Sequence, residues 1–286
     1  MNAKKQRKMQ PGWIGKFFLA MTACSGVFYI QAQEPVRWPE GKTTRYYDQY
    51  IMHHFEVEGK NAWIAEPAKP LPGNPWVWCM EFPWAFSYRC GAPEFLQKGF
   101  YYGHVEVGNT FASPDALRIM EKFYRKAVAI GLSPKVALMG LSRGGLYAYR
   151  FAVNNPEKVS LIYGDAPVCD FKSWPGGKGK SKRSEKDWQS LMSCYRFKDE
   201  TEALNYPGNP VDNLKILAEH KIPVLHVVGE LDTTVPVAEN SDVVEKRYKE
   251  LGGMIQVIRK KSVHHHPHGL DDCTPIVEFI MKYNTK

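Results

Sequence analysis

The sequence predicts an α/β fold: a mostly parallel central sheet with helices on both faces and a cap inserted between the sixth and seventh strands. Three observations predict it. Short apolar, β-branched or aromatic runs alternate with segments of helical spacing. One long segment late in the chain breaks that rhythm. A glycine-rich turn, Gly140-Leu141-Ser142-Arg143-Gly144-Gly145, stands where a strand pattern gives way to a helix pattern.

The elements follow in order. His54 to Val57 and Ala62 to Ala65 flank Glu58-Gly59-Lys60-Asn61, an opening hairpin. Trp76 to Phe82, Tyr101 to Val107 and Lys135 to Met139 are buried parallel strands, the last closed by Gly140. Between the second and third of these, Ser113-Pro114-Asp115 caps a helix with Leu117, Met120, Phe123, Ala127 and Ile130 on one face, stopped by Gly131. Leu146 to Val153 is helical, Ser160 to Tyr163 and Pro223 to Val228 are strands, Ser241 to Leu251 is helical, Met254 to Ile258 is a strand and Pro275 to Tyr283 a closing helix. The exception is 170–221, read as a cap with helices around Lys186 to Tyr195 and Val211 to Glu219. Its front edge, Trp174-Pro175-Gly176-Gly177 with Lys178, Lys180, Lys182 and Arg183, is either a solvated loop or a lid that steers an anionic substrate.

At 286 residues the chain can bury one large core, and its 44% hydrophobic and 24% charged content is that of a globular domain. The absence of a fixed-period repeat excludes solenoids and propellers. Residues 1–32 read as an export signal: Lys4, Lys5, Arg7, Lys8 and Lys16 precede the apolar run Phe17 to Ile30, with cleavage expected at Ala32. The mature domain is then 33–286, periplasmic or secreted and without a membrane span, because the run is shorter than the ~20 residues a spanning helix needs. Lipidation at Cys24 is the weaker reading, since the apolar run continues past it. Without those five bases the net charge falls from +8 to +3, which removes the main reason to expect nucleic acid. Cys79, Cys90, Cys169, Cys194 and Cys273 have no zinc-type spacing and imply no disulfide framework.

Gly140-Leu141-Ser142-Arg143-Gly144 matches the nucleophile elbow, in which a serine projects from a strained strand-to-helix turn flanked by small residues. The Arg143 backbone N–H, near a helix N-terminus, is placed to stabilise an oxyanion. The elbow needs a base and an acid. Gly229-Glu230-Leu231-Asp232 puts a carboxylate at the end of one strand, and Val263-His264-His265-His266-Pro267-His268 puts imidazoles at the end of the next. Asp232 is the preferred acid, with Glu230 and Asp165 as alternatives; the base is His264, His265 or His266. A metal held by the clustered histidines is the weaker reading, because sequential neighbours in a loop point apart, and no metal is expected. Trp84 and Trp174 are candidates for stacking on sugar faces, or else simply packing.

With these motifs in place, the chain resembles the α/β-hydrolase superfamily over nearly all of its mature length, and more closely bacterial exported carbohydrate esterases. Such proteins often end in Gly-His-His-Pro-His; here His264 stands in place of the glycine, which implies His265 as the base. Superfamily members commonly carry His-Gly-x-Pro after the strand that here ends Met80-Glu81-Phe82-Pro83; the first two residues depart from it, and Phe82 is the implied second oxyanion donor, since Pro83 has no N–H. The resemblance implies a cofactor-independent serine hydrolase acting through an acyl-enzyme on small-molecule or oligosaccharide esters, acylated or methyl-esterified. A prolyl-oligopeptidase-type peptidase shares the motif and triad order but usually carries a further large domain. A non-catalytic carbohydrate-binding protein on the same scaffold is the alternative of another class.

Overall fold

The computed structural model describes residues 35–284; the expected export signal and Cys24 lie outside them. Chain entry is antiparallel. β1 (Thr43–Tyr46), β2 (Tyr50–Val57) and β3 (Lys60–Ala65) form a meander. The β2–β3 turn is narrower than the four residues expected: Val57 pairs with Lys60, leaving Glu58 and Gly59, both at positive φ. Right-twisted hairpins favour this two-residue geometry. β1 was missed because its Thr43-Thr44-Arg45-Tyr46 is too polar and short to stand out from its flanks. The cap therefore falls between the seventh and eighth strands rather than the sixth and seventh.

The remaining strands are β4 (Trp76–Cys79), β5 (Tyr101–Val105), β6 (Val136–Leu141), β7 (Val159–Asp165), β8 (Val224–Gly229) and β9 (Ile255–Lys260). Among the described residues they build one nine-stranded sheet in the order β1-β2-β3-β5-β4-β6-β7-β8-β9, parallel from β5 onward. β4 is shorter than its apolar run suggests. Beyond it, Met80 still bonds Met139, but Phe82 adopts a φ of 58° and turns the chain away.

The parallel strands are apolar on both sides because both sides are covered. Trp76 and Trp78 of β4 point into one core layer and Val77 and Cys79 into the other; β6 divides likewise into Val136 and Leu138 against Ala137 and Met139. The second layer holds α1 (Ala92–Gln97), a short helix the sequence reading passed over, and α8 (Thr274–Asn284). The first holds α2 (Pro114–Ala129), α3 (Gly144–Asn154) and α7 (Ser241–Glu250). This division follows from crossover handedness. β4 to β5 steps toward the β1 edge through α1, whereas later crossovers step toward the β9 edge, so right-handed connections require the opposite face. Winding thus reverses at β4, and loops after β4 and β6 meet at a switch point where α/β sheets assemble sites.

The cap carries α4 (Glu185–Tyr195), α5 (Glu200–Leu204) and α6 (Lys215–Glu219). Trp188, Leu191 and Leu217 belong to the same core layer as α2 and α3, so the cap is packed onto the body. Arg150 of α3 ties it down, donating to the Tyr206 hydroxyl at 2.6 Å and lying over the Tyr195 and Tyr206 rings. At the basic front edge, Arg183 pairs with Glu200 at 2.9 Å and Lys178 with the same carboxylate at 3.4 Å. Part of the positive charge is therefore answered locally. The five described cysteines are free thiols, three of them buried. No helix among the described residues is long and apolar enough to cross a membrane.

Candidate active site

Ser142 follows β6 and precedes α3, and its backbone is held at both ends. Its N–H donates to the Asp165 carbonyl at 2.8 Å, extending the β6–β7 ladder by one residue, and its carbonyl accepts from Gly145 and Val168 at 3.0 and 2.8 Å. Between those anchors φ is +49°, a left-handed conformation that costs a serine on the order of 1–3 kcal/mol. The turn closes only with glycine at two places. A Cβ on Gly140 would lie 2.5 Å from the Gly144 carbonyl oxygen, and one on Gly145 would lie 2.6 Å from the Pro167 Cβ. The motif's own Gly144 would meet only ordinary contacts, 3.5 Å from the Glu81 Cβ.

His265 reaches Ser142 from the loop after β9: its Nε2 lies 2.9 Å from Ser142 Oγ. Its Nδ1 lies 2.7 Å from Asp232 Oδ2. Asp232, buried after β8, accepts the Thr234 and Val235 N–H groups on its other oxygen at 2.9 and 2.8 Å, so Oδ2 is left to orient the imidazole. The acid and base loops are stitched together by the Leu231 N–H donating to the Val263 carbonyl at 2.9 Å. This chain of contacts can pass the serine proton to Nε2 while the carboxylate stabilises the imidazolium.

The alternatives go elsewhere. His264 turns its carbonyl toward Gly229, and Glu230 is exposed. Asp165 does not meet His265. It is fully buried and binds His268 instead, Oδ1 to Nδ1 at 2.7 Å, while Oδ2 accepts from the Gly269 N–H at 2.9 Å and the Tyr163 hydroxyl at 2.6 Å. Burial pushes the Asp165 carboxyl up, but the hydrogen bond and charge of His268, with Lys260 and Tyr163, outweigh it and hold the group below its ordinary value. The sequence reading misses the second Asp–His pair because it takes Asp165 only as an alternative acid for Ser142 and His268 only as one of the clustered histidines. Their positions at the ends of β7 and the post-β9 loop were the available signal.

The loop after β4 lies against the N-terminus of α3, where Arg143 is the N-cap. The Arg143 side chain turns back to Glu81, its Nε 2.8 Å from Oε2, and also holds Asn109. It lies 3.7 Å from Asp187 of the cap and over the rings of Phe82 and Phe111, at 5.4 and 5.0 Å. Burial pushes the Glu81 carboxyl above its ordinary value against the opposing pull of Arg143. Arg143 thus bridges the cap, the β4 loop and the elbow, and its guanidinium is already engaged. Trp174 packs 6.3 Å from Phe111, at the edge of this cluster. Trp84 is 55% exposed, and its ring neighbours are Tyr46 and Trp63 on the antiparallel strands, at 5.0 and 5.4 Å. Two surface grooves, of about 810 and 580 Å³, are lined around Trp63 and around Cys273 and by none of Ser142, Asp232 or His265.

No protein-family model matches the chain, and no curated protein matches it in sequence. Solved structures do. Acylaminoacyl peptidase from Pyrococcus horikoshii aligns at a TM-score of 0.59 with 14% identity, over 83% of this chain and 42% of that one. A dipeptidyl aminopeptidase IV candidate from Bacteroides ovatus aligns at 0.57 with 15% identity, over 82% and 35%. Carboxyl esterase 2 from Tuber melanosporum aligns at 0.55 with 16% identity, over 86% and 85%. The chain therefore spans less than half of each of the two peptidases and most of the esterase. With its sheet order, its reversal at β4 and these likenesses, the chain has the α/β-hydrolase fold.

Proposed function

We propose that the protein is a serine hydrolase that cleaves carboxylic esters through an acyl-enzyme. The observation that carries this reading is the continuous contact from Ser142 Oγ to His265 Nε2 and from His265 Nδ1 to Asp232, at 2.9 and 2.7 Å. His265 takes the serine proton as Oγ attacks the ester carbonyl. The backbone N–H groups of Arg143 and Phe82 receive the developing oxyanion, and the protonated imidazole returns its proton to the leaving alcohol. Water, activated by the same imidazole, then attacks the acyl-enzyme and frees Ser142.

For the substrate we propose an acylated or methyl-esterified carbohydrate. Its support is the sequence resemblance to exported carbohydrate esterases, together with exposed Trp84 and with Trp174 beside the Arg143 cluster. Export itself is proposed from the basic and apolar start of the chain, and cell fractionation tests it. The peptidase reading is favoured by the likeness to the two longer peptidase structures. Assay against an aryl acetate, a methyl uronate and a proline-linked peptide separates the readings. Ester turnover should fall by about 10⁴-fold or more in Ser142→Ala; cleavage of the peptide alone would sink the esterase assignment.

A further inference from the structure

The histidine run places three side chains around one point. A ring nitrogen from each of His265, His266 and His268 lies within 4.8 Å of those of the other two, and the three rings meet edge to face, with centroids 4.8 to 5.0 Å apart. The expectation that loop neighbours diverge holds for His264 and fails for these three.

Hydrogen bonding decides which nitrogens are available. Nδ1 of His265 is committed to Asp232 and Nδ1 of His268 to Asp165, each at 2.7 Å. Both rings therefore offer Nε2, that of His265 in exchange for its 2.9 Å contact with Ser142 Oγ. A carboxylate behind an imidazole fixes its tautomer and raises its basicity, the usual support for a metal-ligating histidine. Here that support is supplied twice, from the ends of two different strands. The backbone of the run is also fixed: Arg89 Nε donates to the His268 carbonyl at 2.8 Å, and Lys260 Nζ to the Pro267 and Gly269 carbonyls at 2.6 and 3.1 Å. His266 is exposed and stacks on Phe86 at 5.5 Å, so the third ligand faces solvent and supplies an entry path.

We propose that His265, His266 and His268 bind a zinc ion, and that this ion inhibits the hydrolase. Zinc takes imidazole nitrogens at ~2.0–2.1 Å in a tetrahedron, so ligands sharing it stand about 3.3 Å apart. Closing from at most 4.8 Å to that spacing takes small inward shifts of all three rings, of which His266 is the exposed one. A water fills the fourth position. The ion occupies the His265 Nε2 lone pair, so Ser142 loses its proton acceptor while zinc is bound. Magnesium and calcium, which take oxygen ligands, do not compete.

Inhibition rests on the proposed role of His265, but binding does not, and the test separates them. Zinc is titrated calorimetrically into the full chain carrying Ser142→Ala, and into Ser142→Ala with His266→Gln, with circular dichroism confirming that both are folded. One zinc per chain is expected in the first and at least ~10-fold weaker binding in the second, with no heat from magnesium. Equal binding in the two variants, or none in the first, overturns the site. In parallel, zinc should suppress ester turnover of the native protein reversibly with EDTA, and His266→Gln should need at least ~10-fold more zinc relative to its own zinc-free rate. Saturating zinc with undiminished turnover overturns the inhibitory role.

Discussion

Two aspartates in this molecule make nearly the same contact, a 2.7 Å bond to an imidazole Nδ1, and differ in what that imidazole faces. Asp232 holds His265 against Ser142 Oγ, whereas Asp165 is sealed at 0% exposure beneath His268. Their amide variants should therefore fail in different ways. Asp232→Asn places the wrong tautomer on His265 and should lower kcat by about 10⁴-fold in the molecules that remain folded. Asp165→Asn breaks a buried pair and should cost about 3–5 kcal/mol of unfolding free energy, read by urea denaturation, with a smaller effect on the turnover of the molecules that remain folded. The reverse pattern would make Asp165 the acid that serves Ser142.

At the scale of the element, the elbow is a close approach of β6, α3 and the segment after β7. Its crowded positions are Gly140 and Gly145, not Gly144. Gly145→Ala drives a methyl group into Pro167 and the Val168 backbone and should cost about 1–3 kcal/mol. Gly144→Ala meets ordinary contact distances at the start of a helix and should leave stability unchanged or raised by up to ~1 kcal/mol. Paired denaturation curves of the two variants check this. Equal destabilisation would mean that the backbone, rather than the Pro167 contact, sets the glycine requirement.

For the whole molecule, stability below neutral pH depends on His226 at the centre of β8. The ring is fully buried, Nε2 lying 2.8 Å from the Tyr149 hydroxyl and Nδ1 3.0 Å from Ser241 Oγ. Burial pushes it down to about 3. In the unfolded chain it takes up a proton near pH 6.5, so between those values the unfolded state binds more protons and stability falls as pH drops. Between about pH 7 and pH 5 the native protein should lose about 2 kcal/mol more than His226→Gln. Urea unfolding at both pH values measures it, and parallel losses would acquit His226. The depressed Asp165 adds a second loss at lower pH, its stabilisation holding above about pH 4 and fading below.

What the amino-acid sequence determined by itself was local. Alternating apolar runs and helical spacing announced β4 to β9, α2, α3, α7 and α8, because buried parallel strands and amphipathic helices each leave a periodic trace. The elbow around Ser142 was legible for the same reason: its glycines and flanking patterns are neighbours in the chain. β1 and α1 left no such trace, being short and supported by packing rather than by periodicity. The motif also hid which glycine is crowded, since that depends on Pro167, 22 residues further on. Tertiary structure alone decided the pairing of two aspartates with two histidines and the convergence of a third imidazole upon them. Sheet order brings the ends of β6, β7, β8 and the loop after β9 side by side, and a side chain's partner there is set by which strand end faces it, not by its distance along the chain.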